Sequence, residues 1–311
     1  MGIAKGAYSL LCELKRDFPQ LMQGKVLQLG RQTTYVDLNK IRQINSRFGI
    51  EIQENTFIGS SEEAKGPVSD GTLFQSLGFN SVESMDYSDY ESPTHVHDIN
   101  LPVPDKFYEQ YDVVYDGGTL EHVFNFPESL KNVYRLLKTG GIVIHASPSS
   151  NHVDHGFYMF SPTIFYDYYL ANGFEIIKSY IFEYERSHDK APWLIYDYRP
   201  GCIQHLSFGG WGDDKLLGIW FVARKLETSS CNVIPQQGAY LKVWSRDKDN
   251  RFANSIGSEL ATSVSPLSQV KAFVKSNQFL YSSLLPLVKT LYQLRLQKPL
   301  RLQKPPVIAK Y

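Results

Sequence analysis

The chain has 311 residues, which is enough for one large domain with an appendage or for two small domains. Lysine plus arginine and aspartate plus glutamate both number 32, so the net charge is zero and gives no overall attraction to nucleic acid or to an anionic membrane. The three cysteines are scattered and no run of about 18 apolar residues occurs, so we expect a cytoplasmic protein without disulfides or an integral membrane segment.

Helices and strands alternate along the first part of the chain. An apolar stripe predicts a helix over residues 3–18, and "KVLQLG" predicts the first strand. Helices are expected over 36–48 and over 69–78, the second of them capped by Ser69 and ended by Gly78. Three strands follow, and they end at Asp86, at Asp98 and in the Gly-Gly turn of "YDVVYDGG".

The second part of the chain departs from this alternation near its end. "PESLKNVYRLLKTGG" predicts a helix, "GIVIHASP" a fifth strand, and "SPTIFYDYYLANG" a helix that begins at Ser161. The sixth strand, "FEIIKSYIFEYE", and the seventh, "LLGIWFVARKL", have no helix between them and can pair antiparallel. We expect an α/β domain over residues 1–226 with a mostly parallel sheet, then a helical extension and flexible tail over 227–311.

Polar residues at the strand ends are the first candidates for a site, because ligands of open parallel sheets bind at the carboxyl ends of the strands. Asp86 follows the second strand, where a carboxylate suits the two hydroxyls of a ribose. Asp98 follows the third, where a carboxylate can accept the amino group of an adenine. The pattern favours an adenosine-containing ligand, although aspartates are also common as ordinary turn and cap residues.

The segment "YDVVYDGGTLEHVFNFPESLKNVYRLLKTGGIVIHASP" resembles the class I S-adenosylmethionine-dependent methyltransferases, in which an "LEHV"-like turn follows the fourth strand and "LKPGG" ends the next helix. The segment "HGFYMFSPTIFYDYYLANGFEI" resembles the same enzymes in its Phe-Ser-Pro helix start. The resemblance covers about residues 20–226. It implies a Rossmann-like sheet of seven strands, mostly parallel with an antiparallel last strand and helices on both faces, and S-adenosylmethionine as the cofactor.

Roles for individual residues follow from this resemblance. It implies that Asp86 binds the ribose, that Asp98 binds the adenine and that Ile99 packs on the adenine ring; Tyr87 is grouped with them as a cofactor-binding residue. Gly30 would face the methionine part of the cofactor. The remaining cofactor contacts would come from the turn after the fourth strand, on the sulfonium side, namely from Asp116, Gly117 and Gly118.

The turn after the first strand departs from the family pattern. Instead of a Gly-x-Gly loop the chain has Gly30 followed by Arg31 and Gln32, and an insertion is expected within 37–70. Arg31 is placed to pair with the cofactor's carboxylate, but it can equally block the pocket or pair with an acid such as Asp116. Gln32 is grouped with it as a cofactor-binding residue.

Histidines supply the candidates for a catalytic base. His122 in the "LEHV" turn can take a proton from a hydroxyl or can orient the turn by a hydrogen bond, and Glu121 beside it is structural in many members of the family. His152 and His155 lie in the loop after the fifth strand and are rival bases if that loop faces the substrate. The alternatives for the loop are packing histidines or a metal site, but its spacing matches no zinc pattern, so no metal ligands are predicted.

The function predicted from these features is S-adenosylmethionine-dependent methyl transfer, to oxygen of a small molecule or a sugar or glycan precursor. The alternative is a catalytically silent methyltransferase-like module that binds a partner or metabolite, which the missing glycines favour and the strand-end acids oppose. A nicotinamide-dependent oxidoreductase would share the sheet, but the chain lacks Gly-x-Gly-x-x-Gly. No nucleic-acid partner is expected, and the oligomeric state is left open.

Overall fold

The structure, a computed structural model, describes residues 2–52, 66–185, 191–206, 211, 215–238, 240–241, 244–245 and 304–311. The helices within these ranges are α1 (Lys5–Asp17), α2 (Leu38–Phe48), α3 (Asp70–Ser76), α4 (Phe126–Leu136) and α5 (Thr163–Ala171). The strands are β1 (Gly24–Leu29), β2 (Phe79–Asp86), β3 (His95–Val96), β4 (Tyr111–Asp116), β5 (Leu137–Pro148), β6 (Glu175–Tyr184), β7 (Leu194–Asp197), β8 (Leu216–Arg224) and β9 (Val307–Lys310).

All nine strands form one mixed sheet in the order β3-β2-β1-β4-β5-β8-β6-β7-β9. The pairs from β3 to β5 are parallel, and β8 lies antiparallel between β5 and β6. The predicted Rossmann-like sheet, mostly parallel in its first half and with a reversed late strand, is therefore confirmed. The carboxyl ends of β1, β2, β3 and β4 come together at one edge.

Two hydrophobic cores lie on opposite faces of this sheet, because successive strand residues point to opposite sides. Val26, Val113 and Ile142 belong to the core that is shared with α1, α2 and α3. Leu27 and Val114 belong to the core shared with α4 and α5. Helices thus cover both faces, as the alternation of elements in the sequence predicted.

The long connection from β1 to β2 contains two helices. Asp37 caps α2 by accepting a hydrogen bond from the backbone N–H of Lys40 at 2.8 Å, and Gly49 ends it in the left-handed conformation at φ +69°. Ser69 caps α3 in the same way through the N–H of Thr72. The insertion expected within 37–70 is thus partly helical, and its residues 53–65 lie outside the described ranges.

The strand count corrects the prediction of seven. The polar and aromatic stretch 187–215 contributes β7, and β9 comes from the last residues of the chain. β9 pairs antiparallel with β7, so residues expected to form a flexible tail are part of the sheet. The helix predicted to run to Gly140 is also shorter, since Leu137 already pairs with Tyr111 as the start of β5.

The chain divides into two compact units, and the predicted domain boundary after residue 226 remains a prediction. The first comprises Met1–Cys202, Gly212–Gln237 and Pro305–Tyr311, and the second Ile203–Trp211 and Gly238–Lys304. The last residues belong to the first unit because β9 completes its sheet edge. The helical segment predicted at 266–296 lies outside the described residues. None of the helices in the described part of the chain has the length and apolarity needed to cross a membrane.

Candidate active site

The turn after β1 is locked against the turn after β4. Gly30 has φ +68°, and a side chain there would bring a Cβ to 2.5 Å from Thr119 Oγ1. Thr119 Oγ1 donates to the carbonyl of Leu29 at 2.6 Å. Glycine is therefore required at position 30 by its conformation and by this close approach.

Arg31 holds the loop after β2. Its backbone N–H donates to Asp86 Oδ2 at 3.1 Å, and its guanidinium Nη1 donates to the carbonyls of Glu91 and Ser92 at 2.8 and 2.7 Å. The guanidinium Nε also lies 3.6 Å from Asp70 Oδ2. The side chain is thus directed to the loop beside the predicted ribose site, and it does not reach Asp116.

Gln32 is buried and fills the space above the turn after β4. Its Nε2 donates to the carbonyls of Leu29 and Gly30 at 3.0 and 3.3 Å. A Cβ on Gly117 would overlap Gln32 Oε1, so Gly117 is small in order to accommodate this amide. In a Gly-x-Gly loop the second glycine would be at position 32 and would leave this space empty. Here the amide of Gln32 occupies it.

A cavity of about 280 Å³ lies at the carboxyl ends of the first four strands. Its polar lining residues include Asp86, Asp98, Asn100, Thr119 and His122, and its other lining residues are Leu29, Gly30, Met85, Tyr87, His97, Ile99 and Val123. Its volume is close to the lower limit of the volumes of ligand pockets, which is about 300 Å³. The size suits a nucleoside, which is one part of the cofactor that the resemblance implies.

Two features of the cavity fit an adenosine group. Asp86 and Asp98 are half-buried carboxylates on neighbouring strand ends, and the buried Ile99 adds an apolar residue to the same lining. The Nε2 atom of His97 is buried and lacks a hydrogen-bond partner among the described residues. Asp98 Oδ1 accepts from the N–H and the side-chain amide of Asn100 at 2.9 and 2.8 Å, so this oxygen is engaged within the turn.

Asp116 is bonded inside the protein, and its predicted contact with the sulfonium side remains a prediction. It is fully buried, its Oδ2 lies 2.8 Å from His145 Nδ1, and its Oδ1 accepts from the backbone N–H groups of Thr119 and Leu120. Burial raises the pKa of this carboxyl, but the hydrogen bond and charge of His145 outweigh burial and hold the pKa below its ordinary value. His145 in turn contacts the hydroxyl of Tyr169 at 2.8 Å.

The predicted roles of the glycines in this turn remain predictions. Gly118 has φ +95°, a backbone conformation that favours glycine. Neither Gly117 nor Gly118 is among the residues that line the cavity. Arg31, Gln32 and Asp116 are likewise absent from its lining.

Glu121 is the residue whose importance the sequence did not indicate. Its side chain is fully buried, and neither carboxylate oxygen has a hydrogen-bond partner among the described residues. Burial, and after it the charge of Asp116, raises the pKa of Glu121 to about 8. The signal available in the sequence was the acid of the "LEHV" turn, for which a capping or loop-bonding role was expected.

The structure brings the three predicted histidines together around Glu121. His122 Nε2 lies 3.8 Å and His155 Nε2 lies 3.5 Å from Glu121 Oε1, and the two rings are 5.0 Å apart. His152 is buried next to His155, with the two rings 5.7 Å apart, and its Nε2 lies 3.1 Å from the hydroxyl of Tyr184. Of the three, His122 lines the cavity.

Burial keeps these imidazoles neutral. Burial lowers the pKa of His122, and it lowers the pKa of His152 to about 4. For both groups the second cause is the charge of the neighbouring His155. Burial also lowers the pKa of His155. The cluster thus offers unprotonated ring nitrogens at neutral pH.

Comparisons with known proteins agree with the fold. The sequence model of the methyltransferase-domain family matches residues 78–145, which run from the start of β2 into β5. No curated protein matches the sequence at a significant level.

Matches to solved structures were also found. They include the trans-methyltransferase CalH in complex with S-adenosylhomocysteine, at 18% identity and a TM-score of 0.35 over 71% of this chain and 55% of that one. A 1,6-didemethyltoxoflavin N1-methyltransferase of Burkholderia thailandensis is 11% identical with a TM-score of 0.37, over 71% and 80% of the two chains. A methyltransferase of Archaeoglobus fulgidus is 13% identical with a TM-score of 0.38, over 70% and 93%.

Similarities at these values do not identify an acceptor, and this chain spans only about half of CalH. The family model covers residues 78–145 of the 311, and over that segment the chain is similar to the methyltransferase-domain family.

Proposed function

We propose that the protein transfers the methyl group of S-adenosylmethionine to an oxygen atom of a small hydroxylated molecule, such as a sugar or a glycan precursor. The observation that carries the proposal is the position of His122. It lines the same cavity as Asp86 and Asp98, and it belongs to the histidine cluster around Glu121. One cavity therefore combines groups suited to adenosine with a proton acceptor.

The chemistry requires little beyond positioning. S-adenosylmethionine, when bound, would supply an electrophilic methyl group for attack by the acceptor oxygen, and its sulfur would take up the electrons of the broken carbon–sulfur bond as S-adenosylhomocysteine. The hydroxyl proton passes to a ring nitrogen of the histidine cluster, with His122 nearest to the cavity and His155 beside it. Asp86 and Asp98 bind the ribose and adenine.

The surface beside the cluster suits an acceptor with a nonpolar face. Phe124 and Phe157 are both exposed, by 72% and 66%, and their rings meet edge to face at 5.7 Å. Tyr158 fixes this pair by donating from its hydroxyl to the carbonyl of Phe124 at 2.7 Å. Polar nitrogens next to exposed aromatic rings are a combination that fits a sugar or a similar hydroxylated ring.

A catalytically silent binding module is the second candidate. It is favoured by Gln32, whose amide fills the space above Gly117, and by Arg31, whose guanidinium is engaged by the loop after β2. It is opposed by the Nε2 of His97, unpartnered among the described residues, and by the pair of acids that line the same cavity.

Calorimetry with S-adenosylmethionine and S-adenosylhomocysteine tests the cofactor, and mass spectrometry shows whether the protein is purified with either bound. Absence of binding at millimolar ligand would contradict the enzyme assignment. Release of S-adenosylhomocysteine is then measured with a panel of alcohols, phenols and sugars, each matched with its methyl ether, and with amines. We expect turnover with hydroxyl compounds and none with the ethers; turnover with amines alone would contradict transfer to oxygen.

A further inference from the structure

Two segments distant in the sequence place three possible metal ligands side by side. Glu121 and His122 come from the turn after β4, and His155 comes from the loop after β5. Their ligand atoms all lie within 4.8 Å of one another. The histidines of the loop showed no zinc spacing by themselves, because the carboxylate and one imidazole are more than 30 residues away in the chain.

The separations between these atoms suit a shared cation better than hydrogen bonds. Glu121 Oε1 lies 3.5 Å from His155 Nε2 and 3.8 Å from His122 Nε2. Ligands bound about 2.0–2.1 Å from a tetrahedral zinc ion are about 3.4 Å apart.

A second pair in the same protein shows the contrast. His95 Nε2 lies 2.8 Å from Glu83 Oε2, which is an ordinary hydrogen-bond distance. The Glu121 cluster is therefore spaced differently from a histidine–carboxylate pair that bonds directly.

The carboxylate of Glu121 supplies an independent observation. It is fully buried, and both oxygens lack a hydrogen-bond partner among the described residues. The ionised form of this group is costly unless a positive charge or a donor compensates it, and the neutral form still leaves buried polar atoms without a partner. A cation between Glu121 and the two imidazoles would provide the compensation.

The loop after β5 is built to approach this point closely. Tyr158 donates its backbone N–H to the carbonyl of Glu121 at 3.1 Å. A Cβ on Gly156 would lie 2.8 Å from that carbonyl oxygen and 3.1 Å from His122 Nδ1. Glycine at position 156 thus lets the loop close over the turn and bring His155 to Glu121.

We propose that Glu121, His122 and His155 form a binding site for one divalent transition-metal cation of the zinc type. Two imidazole nitrogens and one carboxylate are donors that suit zinc and its first-row neighbours, whereas magnesium and calcium prefer oxygen ligands. The side chains of His122 and His155 are 47% and 36% exposed, so coordination positions remain open on the outer side.

The site has a consequence for the acceptor that rests on the proposed function. A nitrogen that binds a cation is not available as a base. A hydroxyl bound at an open coordination position would instead lose its proton more readily, as metal-bound water does. Because His122 also lines the cavity, such a hydroxyl would lie beside the cofactor.

The test uses the full chain, freed of metal with a chelator and titrated with Zn²⁺ by calorimetry and with Co²⁺ by visible absorption. We expect one equivalent of either ion and, for Co²⁺, ligand-field bands of a four- or five-coordinate site. Glu121→Gln and His155→Asn should each weaken binding by at least about 100-fold, since even loss of a group that only supports a ligand costs about 10- to 100-fold. His95→Asn, which changes the hydrogen-bonded pair with Glu83, should leave the affinity unchanged.

Affinity for S-adenosylhomocysteine, measured on the same samples, separates the two proposals. Retained S-adenosylhomocysteine binding without metal binding overturns the metal site and leaves the methyltransferase. Metal binding without S-adenosylhomocysteine binding overturns the proposed function and leaves the site. If Glu121→Gln does not fold, the partly exposed His155→Asn decides, and metal binding unaffected by that change overturns the site.

Discussion

Asp86→Asn tests the cofactor site at the residue best placed to bind a ribose. The carboxylate lies at the end of β2, lines the cavity, and accepts the backbone N–H of Arg31 at 3.1 Å through Oδ2. Asparagine keeps one oxygen that can accept this N–H. It replaces the other oxygen by an NH₂ group, which cannot accept a hydrogen bond from a ribose hydroxyl.

The expected loss follows from the type of bond removed. Hydrogen bonds to a charged group contribute about 1.5–3 kcal/mol, which corresponds to roughly 10- to 150-fold in Kd. Asp86 is half-buried, so partial solvation of the carboxylate favours the lower part of this range. We therefore expect S-adenosylhomocysteine to bind roughly 10- to 50-fold more weakly to Asp86→Asn than to the unchanged protein.

Isothermal calorimetry with S-adenosylhomocysteine measures this difference, and a thermal melt confirms that the variant is folded. Asp89→Asn is the matched control, because Asp89 is an exposed acid of the same loop and does not line the cavity. The ribose assignment would be refuted if folded Asp86→Asn bound S-adenosylhomocysteine with a Kd within about twofold of the unchanged protein. Even one weak hydrogen bond of about 0.5 kcal/mol changes Kd about twofold. An equal loss in Asp89→Asn would refute it as well, because the effect would then come from the loop's charge.

Three further predictions concern the turns around the cavity. Gly30→Ala should lower the free energy of unfolding in urea by about 1–3 kcal/mol more than Gly49→Ala does. Both glycines have a positive φ, but only a Cβ at position 30 meets Thr119 Oγ1. Equal losses in the two variants would contradict this reasoning. Arg31→Ala should weaken S-adenosylhomocysteine and adenosine by the same factor in calorimetry, because the guanidinium holds the loop beside the ribose site; a selective loss of S-adenosylhomocysteine would instead support a contact with the cofactor's carboxylate. Asp116→Asn should cost about 3–5 kcal/mol at neutral pH. The pKa of Asp116 is lower in the folded than in the unfolded protein, so its contribution to stability is present above the unfolded pKa and is lost as pH falls through the folded pKa. The stability of Asp116→Asn should therefore depend less on acid pH than that of the unchanged protein. An unchanged dependence would contradict the stabilising role of the Asp116 carboxylate.

The sequence predicted the features that depend on local pattern. Period-two burial and alternating elements were sufficient for the sheet and its two helical faces, and the acids that end β2 and β3 do line one cavity. The edge strand β9 was not predictable in the same way. It joins β7 from more than 100 residues further along the chain, and a strand of four residues carries no information about so distant a partner.

The direction of Arg31 was also beyond the sequence, for a different reason. The pattern of residues shows that a cation follows β1, and it suggested a carboxylate partner. The guanidinium does have a carboxylate neighbour, since its Nε lies 3.6 Å from Asp70 Oδ2. Its closer partners are the main-chain carbonyls of Glu91 and Ser92, and every residue has such a group. For Asp116 the partner is a side chain, His145, but it is distant in the sequence. The two residues become neighbours only because β4 and β5 pair in the sheet.

The order of the strands indicates where along the cavity each part of the cofactor would lie. Asp98, Asp86, Gly30 and Thr119 follow β3, β2, β1 and β4, which are consecutive neighbours in the sheet. Neighbouring strands are about 4.8 Å apart, so the ends of β2 and β4 lie about 10 Å apart. A ribose at Asp86 would therefore leave about 10 Å for the sulfur-bearing part of the cofactor before the turn that carries His122. Methyl transfer is then expected at the β4 side of the cavity, where the Glu121 cluster lies, and away from the turn that Arg31 and Gln32 close.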